Sequence, residues 1–125
     1  MKMLHTCLRV YNLEASLAFY EMLGLKEVKR KDHSKDGFIL VYLANKENSY
    51  ELELTYNIGN EAYDLGNGYG HIALGTYHIK EEHQKHKDAG YTVTDLKGLP
   101  GQEQDHYYFI LDPDGYKVEI INLNY

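Results

Sequence analysis

The sequence is poor in several things, and each shortage removes a class of protein. It has one cysteine, Cys7, so no disulfide can form within the chain, and the expected compartment is a reducing cytoplasm. Tryptophan is absent and proline occurs twice, which excludes a proline-rich linker. Basic residues are outnumbered, 13 against 19 acidic, for a net charge of −6; that balance argues against nucleic acid or an anionic membrane as the main partner. No apolar run approaches the roughly 20 residues of a spanning helix. Met1-Lys2-Met3-Leu4-His5 is mixed in character, so no signal region is expected. At 125 residues the chain fits one domain, and 13 tyrosines supply most of its aromatic surface.

What the chain does have is an internal echo. His5 and Glu53 stand 48 positions apart, as do His71 and Glu119 (53 − 5 and 119 − 71). The halves are offset by 66, and at that offset Leu8 falls on Leu74, Tyr11 on Tyr77, Gly24 on Gly90, Tyr42 on Tyr108 and Tyr50 on Tyr116. Packing alone is a poor explanation for two His and two Glu at equivalent positions. The working expectation is that the four bind one divalent metal.

Periodicity predicts the same order of elements twice. Met3, His5, Cys7 and Arg9 alternate with Leu4, Thr6, Leu8 and Val10, a strand pattern. Asn12 suits a helix N-cap, Leu13, Leu17, Tyr20 and Leu23 form the stripe, and Gly24 stops it. Strands are expected at 25–29, 38–43 and 50–56, with a polar turn over 31–37. In the second half they are expected at 71–76, 91–95, 107–111 and 116–121, with a polar helix over 79–89 and a strong turn at Asp112-Pro113-Asp114-Gly115. The predicted fold class is α+β: two tandem βαβββ modules, 1–57 and 71–125, joined by a linker 58–70, making one domain whose mixed sheet curves around the metal site.

Alternation also predicts facing. Glu51, Glu53, Thr55 and Asn57 share one side of their strand, opposite Leu52, Leu54 and Tyr56; Glu119 opposes Val118 and Ile120. Two imidazoles and two carboxylates form an N2O2 set without thiolate, suited to Ni, Co, Fe, Mn or Zn but not to a closed structural zinc site. Two carboxylates nearly neutralise a divalent ion, which favours enolisation of a neutral hydroxy-ketone over oxygen chemistry. Cys7 reads as a small buried residue, His83 and His86 as members of a solvated helix face, and His33 and His106 as residues without a role.

The segments His5-Thr-Cys-Leu-Arg9-Val, Glu53-Leu-Thr-Tyr-Asn57, Gly68-Tyr-Gly-His71-Ile-Ala-Leu and Asp112-Pro-Asp-Gly-Tyr-Lys-Val-Glu119 resemble glyoxalase I (lactoylglutathione lyase) of the vicinal-oxygen-chelate superfamily. The resemblance covers essentially the whole chain. It implies that His5, Glu53, His71 and Glu119 are metal ligands, that Glu119, with Glu53 opposite it, does the proton transfer, and that Arg9 and Asn57 hold the thiol. It implies conversion of the methylglyoxal–glutathione hemithioacetal to S-lactoylglutathione through an enediolate, which is methylglyoxal detoxification. Compactness favours Ni2+ or Co2+ over Zn2+, and a homodimer is the default expectation. Rival readings are an epimerase of coenzyme A esters, a glyoxalase using a different thiol, and a non-enzymatic antibiotic-binding protein of the same fold.

Overall fold

The computed structural model describes residues 1–124, which divide into two compact units, 1–64 and 65–125, the last residue lying outside the described range. In the first unit the order is β1 (His5–Val10), α1 (Leu13–Met22), β2 (Lys26–His33), a 3-10 turn (Ser34–Asp36), β3 (Phe38–Ala44) and β4 (Glu51–Asn57). The sheet order is β1-β4-β3-β2, with β1 parallel to β4 and the other pairs antiparallel.

Local chemistry accounts for these boundaries. Asn12 caps α1 by accepting from the Ala15 amide at 3.1 Å, which satisfies one of the orphan donors of the first turn. Gly24, at φ +94°, turns the chain out of the helix while the Leu25 amide bonds back to Tyr20. The buried face of α1 is Leu13, Ser16, Phe19 and Tyr20, rotated from the expected stripe; Leu17 and Leu23 are half-buried. Leu13 and Tyr20 keep their expected inner places, and Phe19, with more apolar area than a leucine, takes one of the others. β2 runs on to His33 where a polar turn was expected from Lys31. It is an exposed edge strand, and pairing with β3 holds it extended despite its charge.

The second unit contains β5 (Ile72–Thr76), α2 (Ile79–Asp88), β6 (Tyr107–Leu111) and β7 (Lys117–Asn122), in sheet order β5-β7-β6 with β5 parallel to β7. The strand expected over 91–95 is not formed. Val93 and Lys97 make only isolated bridges, to Ile110 and Tyr107, so this unit has a three-stranded sheet against four in the first. The Asp112 carboxylate accepts from the amides of Asp114 and Tyr116, both at 2.9 Å, and fixes the turn that delivers β7.

Two histidines expected to be solvated are not. His86 is 1% exposed, with Nδ1 2.8 Å from the Tyr108 hydroxyl. Its Nε2 lies 3.3 Å from Glu82 Oε2, but off the line of a hydrogen bond, and is left unsatisfied. His83 is half-buried, 2.8 Å from the Thr94 carbonyl and edge-on to the Tyr108 ring. The helix is too poor in apolar residues to cover its sheet otherwise, so its imidazoles take the inner positions.

Burial holds the His86 imidazole below the usual histidine range, Glu82 opposes that shift, and Lys85 and His83 add to it. A folded-state pKa below the unfolded one means the unfolded chain takes up the proton first. The native state is therefore favoured at neutral pH and loses stability as pH falls below about 6.5. Melting temperatures measured from pH 7.5 to 5 should fall at the acid end. His86→Gln, which keeps an acceptor for Tyr108 but does not titrate, should flatten that decline.

Candidate metal centre and proton-transfer site

The parallel pairing of β1 with β4 sets Cys7 opposite Glu53 and Arg9 opposite Thr55. His5 heads β1 on the same exposed side, and its Nε2 comes within 2.7 Å of Glu53 Oε2. In the second unit the parallel pairing of β5 with β7 sets Ala73 opposite Glu119, and His71, just ahead of β5, brings its Nε2 to 3.0 Å from Glu119 Oε2. The four residues singled out by the repeat thus stand as two His–Glu pairs, one in each unit. Among the described residues no group of three or more His, Cys, Asp or Glu side chains is gathered to hold a metal ion.

Each pair is suited to a divalent cation. Donors about 2.1 Å from one ion and at right angles stand about 3 Å apart, close to both observed separations. Both imidazoles are braced by edge-on rings: His5 against Tyr42 at 5.6 Å, and His71 against Phe109 at 5.3 Å. These braces correct one detail of the repeat. Tyr42 faces Glu53 across β3 and β4, whereas Phe109 faces Glu119 across β6 and β7. The offset is 66 between the ligand strands but 67 between β3 and β6, so the structural counterpart of Tyr42 is Phe109, not Tyr108.

Around Glu53 the setting is rich in donors. The Thr55 hydroxyl donates to Glu53 Oε1 at 3.1 Å, and Cys7 Sγ lies 3.2 Å from that hydroxyl. Cys7 is exposed, contrary to the expectation that it would be buried; it occupies the polar face of β1. Tyr42 stands directly across the β3–β4 pairing from Glu53, and its hydroxyl is held above the usual phenol range, first by burial and then by the charge of Glu53. It therefore stays protonated and remains a donor. Beyond it, Lys29 Nζ sits 4.3 Å from the Tyr42 ring centroid and 3.4 Å from Glu51 Oε1. A cavity of about 420 Å3 opens beside His5, bordered by Lys29, Lys31, Tyr42 and Glu51.

Arg9 lies on the exposed face of β1 with His5, and Asn57, at the end of β4, donates to the Tyr63 hydroxyl at 3.0 Å. Asn60 donates to the same hydroxyl at 3.1 Å, so the start of the linker is tied to the end of β4. Reading the sequence left out Tyr42, Lys29 and Tyr63. Thr55 was visible on the Glu53 face but without a role. The missing information was register, since only cross-strand pairing brings Tyr42 to Glu53.

Known proteins resemble this chain over nearly its whole length. The family model for the Glyoxalase/Bleomycin resistance protein/Dioxygenase superfamily matches residues 2–120. A lactoylglutathione lyase of Neisseria meningitidis is 43% identical over 97% of this chain and 90% of its own length, and a probable lactoylglutathione lyase of Synechocystis is 40% identical over 97% and 95%. The chain belongs to this superfamily, in its lactoylglutathione lyase branch. Among solved structures, the glyoxalase I of Leishmania major, described as trypanothione-dependent, superimposes with a TM-score of 0.84 at 36% identity, covering 98% of this chain and 86% of that one. Glyoxalase I of Zea mays gives 0.83 at 30% identity over 97% of this chain and 44% of the maize chain. The α+β glyoxalase fold is therefore common to this chain and to known glyoxalase I enzymes, and membership of that family implies a divalent metal.

Proposed function

We propose that the protein is a metal-dependent lactoylglutathione lyase that converts the hemithioacetal of methylglyoxal and glutathione to S-lactoylglutathione, with His5, Glu53, His71 and Glu119 as the metal ligands. The observation that carries this reading is the His–Glu pair found in each unit, with imidazole and carboxylate 2.7 Å apart in one and 3.0 Å in the other, the spacing of two donors to one ion. The near-full-length similarity to lactoylglutathione lyases supports it. A bound divalent ion would offset the negative charge that develops on the substrate oxygens when a neighbouring C–H is deprotonated.

The chain's own residues do the rest. Glu119 accepts the proton from the carbon that bears sulfur and returns it to the adjacent carbon, and Glu53 holds the opposite side of the site. Arg9 offers a planar fork to a carboxylate of the thiol, and the Asn57 amide, oriented by Tyr63, binds its peptide portion. We further assign the metal as Ni2+ or Co2+ in preference to Zn2+, the compartment as cytoplasmic, and the working form as a homodimer.

Metal-stripped protein reloaded separately with Ni2+, Co2+ or Zn2+ and given methylglyoxal with glutathione should form thioester, seen by its ultraviolet absorbance, fastest with Ni2+ or Co2+. Thioester formation with trypanothione but not glutathione would move the thiol assignment alone; no thioester under any metal and thiol would overturn the function. Glu119→Gln should lower kcat by about 100- to 10,000-fold while the protein still binds metal. Retained activity would remove Glu119 from its role.

Assembly is measurable in the same system. Glu53→Gln and Glu119→Gln copies, each impaired alone, should regain activity on mixing when a site draws its two pairs from different copies. They should stay inactive when one chain supplies both. Light scattering should return twice the chain mass for the active species; a monomer would overturn the homodimer.

A further inference from the structure

The two carboxylates occupy matching positions in the repeat but receive different hydrogen bonds. Glu53 is 7% exposed; it accepts from the Thr55 hydroxyl two residues along its own strand, and the Tyr42 phenol stands beside it across the β3–β4 pairing. Cys7, directly opposite Glu53 on β1, completes the chain by contacting the Thr55 hydroxyl. With the single Thr55 hydrogen directed at Glu53, the thiol is the donor in that contact, so the order runs Cys7 to Thr55 to Glu53.

At Glu119 the matching positions carry no hydroxyl. Its neighbour two residues along β7 is Ile121, the residue across the β6–β7 pairing is Phe109, and the residue opposite on β5 is Ala73. Its side chain is also more accessible, 19% against 10% for Glu53, and His71 is its ion-pair partner. One carboxylate has a donating threonine and a phenol beside it; the other has hydrocarbon residues at the three matching positions.

We infer that Tyr42 and Thr55 are positioning residues that lock Glu53 into a fixed ligand, and that the hydroxyl-free setting of Phe109, Ile121 and Ala73 leaves Glu119 able to rotate and take the substrate proton. The repeat is thereby divided into a holding half and a reacting half. The inference rests on the proposed function for the word substrate, but its structural part concerns metal binding and is readable without turnover. A carboxylate held by a donating hydroxyl and a buried phenol beside it has lost much of the rotational freedom that metal binding would otherwise have to remove, and such outer partners typically carry 10- to 100-fold in metal affinity or activity. A carboxylate without them can leave its resting orientation at little cost.

The test uses the full-length protein, stripped of metal and titrated with Ni2+ alone. Thr55→Val with Tyr42→Phe should weaken Ni2+ binding by about 10-fold or more, and Thr55→Ser, which keeps the hydroxyl, should restore the Thr55 share. The complementary variant Phe109→Tyr brings a hydroxyl to Glu119. It should lower kcat several-fold while KM stays near its original value and Ni2+ binding is not weakened. Melting curves on each metal-free variant separate a folding defect from a loss of positioning. Wild-type Ni2+ affinity in the double variant, or an unchanged kcat in Phe109→Tyr, would overturn the inference. If the wild-type protein makes no thioester, the proposed function fails, yet the Ni2+ titrations still decide whether Tyr42 and Thr55 position Glu53.

Discussion

The structure depends on one constraint, the parallel pairing of each unit's first strand with its last. A parallel ladder requires a crossover, and α1 and α2 are the first parts of those crossovers. Register then determines chemistry. Because Cys7 lies opposite Glu53 and Ala73 opposite Glu119, a histidine two residues before each of those positions comes within hydrogen-bond distance of the carboxylate. A slip of one residue would turn the carboxylate to the face occupied by Leu52 and Leu54, or by Val118 and Ile120, so the apolar faces hold the His–Glu geometry in place.

The parts of the fold that could be read from the sequence are those specified by local period and punctuation. Asn12, Gly24 and the Asp112 turn act within a few residues of themselves, and the structure bears out each of them. The strand expected over 91–95 failed because β propensity there has no full partner. β6 offers Val93 and Lys97 only isolated bridges, and propensity without a ladder does not make a strand. β2 shows the reverse. A strand was expected only to Lys29 and a turn from Lys31, yet the ladder to β3 carries β2 to His33. In both cases tertiary pairing overruled local preference.

The candidate site was legible to the same depth. Its four central residues repeat in sequence and were visible without coordinates, while the residues that differentiate them do not repeat. Tyr42 and Phe109 are matched only through their strand partners, and the 66-position offset that found the ligands misaligns this pair by one. His86 was missed for a related reason. A helix with six charged residues reads as solvated, but Ile79 is its one other fully buried position, so an imidazole bonded to Tyr108 takes the inner face.

Hydrogen bonds from neighbouring side chains fix the orientation of a carboxylate, and a carboxylate without them is freer to turn. In this chain the difference is made by side chains outside the four ligands: a phenol and a threonine hydroxyl on one side, a phenyl ring and an isoleucine on the other. None of these changes the number or the charge of the four repeated residues. The two halves keep the same parallel pairing and the same His–Glu pair, and around that pair they diverge in what the carboxylate can hydrogen-bond.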